Sequence, residues 1–237
     1  HLCDRRQRQM CIRDRGSAVN VTKIEALSGG AVWLLTETEG AIRIDTNPED
    51  YSLTSQWYSA QSGQFSATRV FGVYEDLLGN EWILSDNGLG MLTAGQTTPT
   101  SYFVDAAERE KKGGQAFYSC LEYNSEIYFG SDNGRVWCYQ KENGQFQLQN
   151  LPASSRIVSI NSVEGNELIF TTAKDGFFSY QPKTKAIEHF PASRFPNASI
   201  HSVYVDKASE VWFEQHIPGT VVHFNPVSYT HLRAHET

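Results

Sequence analysis

From Val21 onward, short runs of apolar residues alternate with polar turns, and the pattern recurs. Five segments share one grammar: an alternating strand, a turn, a second strand centred on a bulky residue, a glycine turn and a third strand. They read VTKIEALSGGAVWLLTETEGAIRI from Val21, RVFGVYEDLLGNEWILSDNGLGML from Arg69, QAFYSCLEYNSEIYFGSDNGRVWCY from Gln115, RIVSINSVEGNELIFTTAKDGFFSY from Arg156 and IHSVYVDKASEVWFEQHIPGTVVHF from Ile200. The bulky anchor is Trp33, Trp82, Tyr128, Ile169 and Trp212, at steps of 49, 46, 41 and 43 residues. The glycine that follows it keeps the same rhythm, at Gly40, Gly88, Gly134, Gly176 and Gly219.

A fixed period of this length identifies a repeat architecture before any single motif does. Asn87-Gly88, Asn133-Gly134 and Asp175-Gly176 are dipeptides that accept the positive φ of tight hairpin turns, so each unit is predicted to be an antiparallel meander. A fourth, outer strand fits Gln145–Leu151 and Ala186–Phe190. One such sheet cannot bury both faces alone, so neighbouring sheets must stack around an axis. A β-sandwich would also give many short strands, but it would not repeat an anchor and a glycine at one period. The expectation is an all-β chain, a partial β-propeller of about five blades of four antiparallel strands, near residues 21–60, 69–110, 115–151, 156–190 and 200–226. Asp105–Lys112 is the one helix candidate, short enough to be a charged loop between blades.

The chain of 237 residues is 40% hydrophobic and 12% aromatic, enough for a sizeable core. No run approaches the roughly 18 to 20 apolar residues that a membrane helix needs. The two ends differ from the body. His1–Arg15, HLCDRRQRQMCIRDR, back-translates to a transposon-end adapter used in sequencing libraries, and Val227–Thr237, VSYTHLRAHET, to the opposite adapter read outward. Residues 1–15 and 227–237 are therefore expected to be adapter-derived, with 16–226 a propeller fragment that continues beyond both. A genuine basic arm for nucleic acid is the alternative. Without the two ends, 14 Lys and Arg face 24 Asp and Glu, a formal charge of −10 against −7 for the whole chain, which disfavours a nucleic-acid partner.

The second unit carries a family resemblance. Val73-Tyr74-Glu75-Asp76-Leu77-Leu78-Gly79-Asn80-Glu81-Trp82-Ile83, completed by Gly88-Leu89, resembles the repeat of two-component regulator propellers. The repeat-motif positions are thus Trp33, Glu75, Asp76, Gly79, Asn80, Trp82, Gly88, Gly134, Gly176 and Trp212. Gly165-Asn166 matches the turn, whereas Gly29-Gly30, Asn124-Ser125 and Ala208-Ser209 occupy it without the full motif. The resemblance implies the outer sensor region of a Bacteroidetes hybrid histidine kinase. Such a region lies in the periplasm as part of an inner-membrane protein, and has propellers of seven blades that read oligosaccharides. It controls glycan-utilisation genes through kinase and DNA-binding parts. The partners implied are an oligosaccharide, downstream domains of the same chain and a second protomer, with no nucleic acid or membrane contact and no cofactor in this fragment.

Candidate chemistry is sparse. His189, His201, His216 and His223 do not show a compact metal-ligand spacing. Ser85-Asp86-Asn87-Gly88 and Ser131-Asp132-Asn133-Gly134 resemble the start of a calcium loop but lack its further carboxylates, and a hairpin turn accounts for them. Asp76 is expected to accept hydrogen bonds from the Leu77–Asn80 turn rather than act as an acid or base. Cys120 and Cys138 fall on non-adjacent strands and are expected to be free thiols. Sugar rings bind by stacking on aromatic faces, which makes Trp57, Tyr58 and Tyr102, lying between the repeats, the ligand-binding candidates; packing between blades is the commoner role for aromatics in such places. No catalytic residue is identified. Besides a ligand sensor, a secreted carbohydrate-active enzyme with two carboxylates facing across the axis, or a protein-interaction scaffold, fits these features.

Overall fold

The computed structural model describes residues 19–104, 116–163, 166–194, 200–208, 210–215, 220–225 and 230–236. The expected loop Asp105–Lys112, the turn residues Gly165 and Gly219, His216 and the arm His1–Arg15 lie outside the described residues. The described strands form five four-stranded antiparallel meanders. The first comprises β1 (Val21–Ala26), β2 (Val32–Thr36), β3 (Ala41–Thr46) and β4 (Leu53–Tyr58). The second comprises β5 (Val70–Glu75), β6 (Glu81–Ser85), β7 (Gly88–Leu92) and β8 (Thr100–Tyr102). The third comprises β9 (Phe117–Tyr123), β10 (Glu126–Ser131), β11 (Val136–Gln140) and β12 (Gln145–Gln149). The fourth comprises β13 (Ile157–Val163), β14 (Glu167–Thr172), β15 (Phe177–Gln181) and β16 (Ala186–Phe190). The fifth comprises β17 (Ile200–Val205), β18 (Val211–Gln215), β19 (Thr220–Asn225) and β20 (Thr230–Glu236).

Successive sheets stack through their first two strands. β5, β9, β13 and β17 pack one against the next, and β2, β6, β10 and β14 each touch the first strand of the following sheet. The first strand of each sheet is therefore innermost, and the sheets are the blades of a propeller arc. The core lies between blades. Trp33 and Leu35 pack on Val70, Val73 and Ile83. Trp82 and Leu84 pack on Phe117, Phe129 and Trp137. Tyr128 packs on Ile160 and Phe170, and Ile169 on Val211 and Phe213. The first four anchors are each 0% exposed, which explains why this position recurs in the sequence. Trp212 is only half-buried, because no described blade packs beyond the fifth.

The recurring glycine has an equally physical cause. At Gly176 φ is +87°, and an added Cβ would lie 2.1 Å from the carbonyl oxygen of Phe190; at Gly88 φ is +95°, and the Tyr102 oxygen would be 2.3 Å away. The turn between the second and third strands thus tucks beneath the end of the outer strand, where only glycine fits.

β20 falls within the tail read as adapter-derived. An open sheet edge accepts backbone pairing from any extended segment whatever its side chains, so this pairing does not bear on the origin of Thr230–Glu236.

Candidate functional site

Asp76 organises the turn between β5 and β6. It is 5% exposed; its Oδ1 accepts the N–H groups of Leu78 and Asn80, both at 2.9 Å, and its Oδ2 accepts Asn80 Nδ2 at 3.0 Å and the Trp82 indole Nε1 at 3.1 Å. Burial alone would raise this carboxyl, but those donors hold it below the ordinary aspartate value. Gly79 supplies the positive φ, +78°, that closes the turn. The fifth blade repeats the device: Asp206 accepts from Ala208 and Glu210 backbone N–H groups and from Trp212 Nε1 at 3.0 Å. This second lock was legible as an aspartate six residues before a tryptophan, but the missing glycine concealed it. Trp33 lacks such an aspartate, and its indole instead donates to Glu81 of the next blade at 2.8 Å.

The acids of the inner strands join neighbouring blades. Glu75 accepts from Ser28 N and Oγ at 2.6 and 2.7 Å, Glu25 from Val73 N at 2.5 Å, and Glu122 from Leu77 N at 2.8 Å and Lys141 Nζ at 2.5 Å. Each of these carboxylates is engaged by another blade.

The three aromatic candidates do not form one surface. Tyr58 is 1% exposed and its ring lies 5.0 Å from that of Trp33, so it is an interior residue and not a platform for a sugar. Tyr102 packs 5.9 Å from Trp82 and 5.1 Å from Phe146 between the second and third blades. Burial pushes the phenols of Tyr58 and Tyr102 up to about 12. Trp57 shares a cluster with Leu34 and Ile42 on the face of the first blade that points away from the second. Ile83, which occupies the position of Leu34 in the second blade, is buried against the first, so this face is one that blades use for stacking.

A different set of residues converges near the axis. In every blade the inner strand carries one bulge at its start, where two residues oppose one on the second strand; the extra residue is Thr22, Phe71, Tyr118, Val158 or His201. Bulges redirect a side chain away from the regular pleat and concentrate beside binding sites. Here two of them bring Phe71 and Tyr118 together across adjacent blades, with ring centroids 4.2 Å apart and planes 30° apart. Both rings are half-buried. The Arg69 guanidinium lies 5.4 Å from the Phe71 ring and that of Arg156 lies 4.7 Å from the Tyr118 ring. The sequence held no sign of this group, because a bulge needs no special residue and leaves no periodic mark.

A second concavity, about 260 Å³, lies between the turn at Asn124-Ser125 and the turn Lys141–Asn143 at the other end of the third blade. Its walls are polar, and Lys141 is committed to Glu122 and Asp76. Cys120 and Cys138 are free thiols on β9 and β11, which are separated by β10. Among the described residues, no three His, Cys, Asp or Glu side chains gather as a metal site.

Stacked meanders with innermost first strands define a β-propeller arc. The extracellular domain of BT4673 from B. thetaiotaomicron, described as a hybrid two-component system, shares the fold with TM-score 0.73 and 17% identity over 94% of this chain and 32% of its own. That of BT3049 from the same organism gives 0.68 and 17% over 91% and 30%. Virginiamycin B lyase from Staphylococcus aureus gives 0.70 and 16% over 94% and 72%. The chain spans about a third of the length of the two-component extracellular domains. No protein-family profile and no curated protein matches it.

Proposed function

We propose that this chain is part of the ligand-sensing propeller of a hybrid two-component regulator, and that the half-buried Phe71–Tyr118 pair at the axial mouth receives an oligosaccharide. The aromatic pair carries the reading, because an aromatic face flanked by polar groups is what a sugar ring requires. The likeness to two extracellular domains of such regulators supports it. On this reading the propeller lies in the periplasm, attached to the inner membrane through further parts of the same chain. Ligand binding shifts its packing against those parts or a second protomer, and a kinase and DNA-binding region then control glycan-utilisation genes. The ends, residues 1–15 and 227–237, are adapter-derived, and sequencing the source DNA across both is expected to show further blades in frame instead of these residues.

The shared fold of a lyase favours a catalytic reading as the alternative. The engagement of Glu25, Glu75 and Glu122 by neighbouring blades argues against a glycosidase built on inner-strand carboxylates. Titration calorimetry with a panel of plant and host oligosaccharides tests the sensor reading. Binding that Phe71→Ala and Tyr118→Ala each weaken at least tenfold is expected; cleavage of any oligosaccharide, or binding indifferent to both variants, would contradict it.

A further inference from the structure

The two arginines beside the aromatic pair are placed unlike Arg43 and Lys141. Arg43 is forked onto Glu81, with Nη2 at 2.8 Å and Nε at 3.0 Å, and Lys141 is held by Glu122 and Asp76. Arg69 and Arg156 form no ion pair among the described residues, although each has an aspartate close to its backbone. Those aspartates are occupied. Asp86 Oδ1 accepts the backbone N–H groups of Thr68 and Arg69, both at 3.1 Å. Asp175 accepts both the N–H and the hydroxyl of Ser154 and of Ser155, at 2.8 to 2.9 Å. The linkers entering the inner strands thus tie these carboxylate oxygens to backbone N–H and serine groups, and leave two guanidinium groups exposed, one beside each ring of the aromatic pair.

A guanidinium over an aromatic ring keeps its outward N–H donors free, and its planar fork matches a carboxylate or sulfate. The rest of the chain is acidic, so an anion gains nothing from the general field and must be held locally. We infer that the oligosaccharide received at the Phe71–Tyr118 mouth is anionic, a chain of sugars bearing carboxylate or sulfate groups that Arg69 and Arg156 bind while the rings stack on the sugar faces. This inference rests on the reading of the mouth as an oligosaccharide site and adds the charge of the ligand.

The test is calorimetric titration of the whole chain with tetragalacturonic acid, its fully methyl-esterified form and a sulfated galactose tetramer. Esterification removes the charge and keeps the shape. The acid or the sulfated tetramer should bind, with whichever binds identifying the anion, and the ester should bind about tenfold to a hundredfold more weakly, the range of a lost charge-assisted hydrogen bond. Arg69→Gln and Arg156→Gln should erase that preference, whereas Arg69→Lys and Arg156→Lys, which keep charge without the fork, should retain part of it. Circular dichroism of each variant separates lost binding from lost fold, and the lysine variants decide if a glutamine variant does not fold. Equal binding of acid and ester would overturn the inference and leave the oligosaccharide reading intact. A preference for the acid that survives all four variants would move the anion site elsewhere and overturn it. Binding of none of the three sugars, or tighter binding of a deoxythymidine oligomer, would overturn both readings.

Discussion

Replacing Asp76 by alanine should destabilise the protein by about 3 to 4 kcal/mol. Its carboxylate receives the Leu78 and Asn80 N–H groups, the Asn80 amide and the Trp82 indole. Bonds to a charged acceptor contribute about 1.5 to 3 kcal/mol each, but these do not add, since the turn can rotate its own N–H groups toward water. Leu78, 70% exposed, already borders solvent. Trp82 has no such escape: at 0% exposure its indole N–H would be left unpaired, at a cost of about 1 to 3 kcal/mol. One turn lock plus one stranded donor gives the total. Lys141 keeps Glu122, so no buried charge is orphaned. With a urea dependence of about 3 kcal/mol/M, the midpoint should fall by roughly 1 M, followed by tryptophan fluorescence and far-ultraviolet circular dichroism. Asp76→Asn keeps one acceptor and places a donor opposite donors, and should fall between the two. Asp206→Ala, in the fifth blade, should have the smaller effect of the two alanine variants, because Trp212 is only half-buried. A midpoint for Asp76→Ala within roughly 0.2 M of the parent would refute the turn-lock argument.

Other expectations follow from the same geometry. Asp76 and Asp175 titrate below the ordinary aspartate value despite burial. Their contribution to stability is complete above about pH 4 and is lost as pH falls through the lowered folded values; Asp76→Asn should flatten the acid limb of a stability-pH curve, and an unchanged limb would count against it. Glu167 runs the other way: burial first and Glu188 second raise its carboxyl, so its contribution is complete below about pH 4 and is lost as pH rises through the folded value. Glu167→Gln should therefore stabilise the protein at pH 7, checked by thermal unfolding. Gly176→Ala, which meets the Phe190 oxygen, should cost about 3 kcal/mol or more, whereas Gly79→Ala, with φ of +78° but nothing within 4 Å, should cost only about 1 kcal/mol; equal costs would refute the steric account. Burial pushes the thiol of Cys138 up to about 12, so peptide mapping after iodoacetamide should find it unmodified until urea unfolds the chain.

What the sequence revealed was what repeats. Trp33, Trp82, Tyr128 and Ile169 recur because each fills the same gap between one blade and the next; Gly88 and Gly176 recur because each passes beneath the end of an outer strand, and Gly134 because it passes beneath the linker at Ala153-Ser154. Ala186–Phe190 is an outer strand as expected, while the strand expected over Gln145–Leu151 ends at Gln149. The candidate site was illegible for the complementary reason. Phe71 and Tyr118 owe their meeting to bulges that vary in residue from blade to blade, and they lie 47 positions apart. Tyr58 and Tyr102 fall between the repeats in sequence, where either a sugar platform or packing between blades is open, and they end outer strands whose inner faces complete the packing of the blades. Alternation tells which residues share a face; it does not tell which face meets a neighbouring blade.

The proposal that ligand arrives at the axial mouth is tested most directly by a crystal structure of the chain soaked with the oligosaccharide that binds it tightest in solution. Sugar rings lying against Phe71 and Tyr118, with their charged groups within 3 Å or so of the Arg69 and Arg156 guanidinium nitrogens, are the predicted result. Sugar seated in the cleft between Asn124 and Asn143, or on the Trp57 face of the first blade, with the mouth unoccupied, would contradict it.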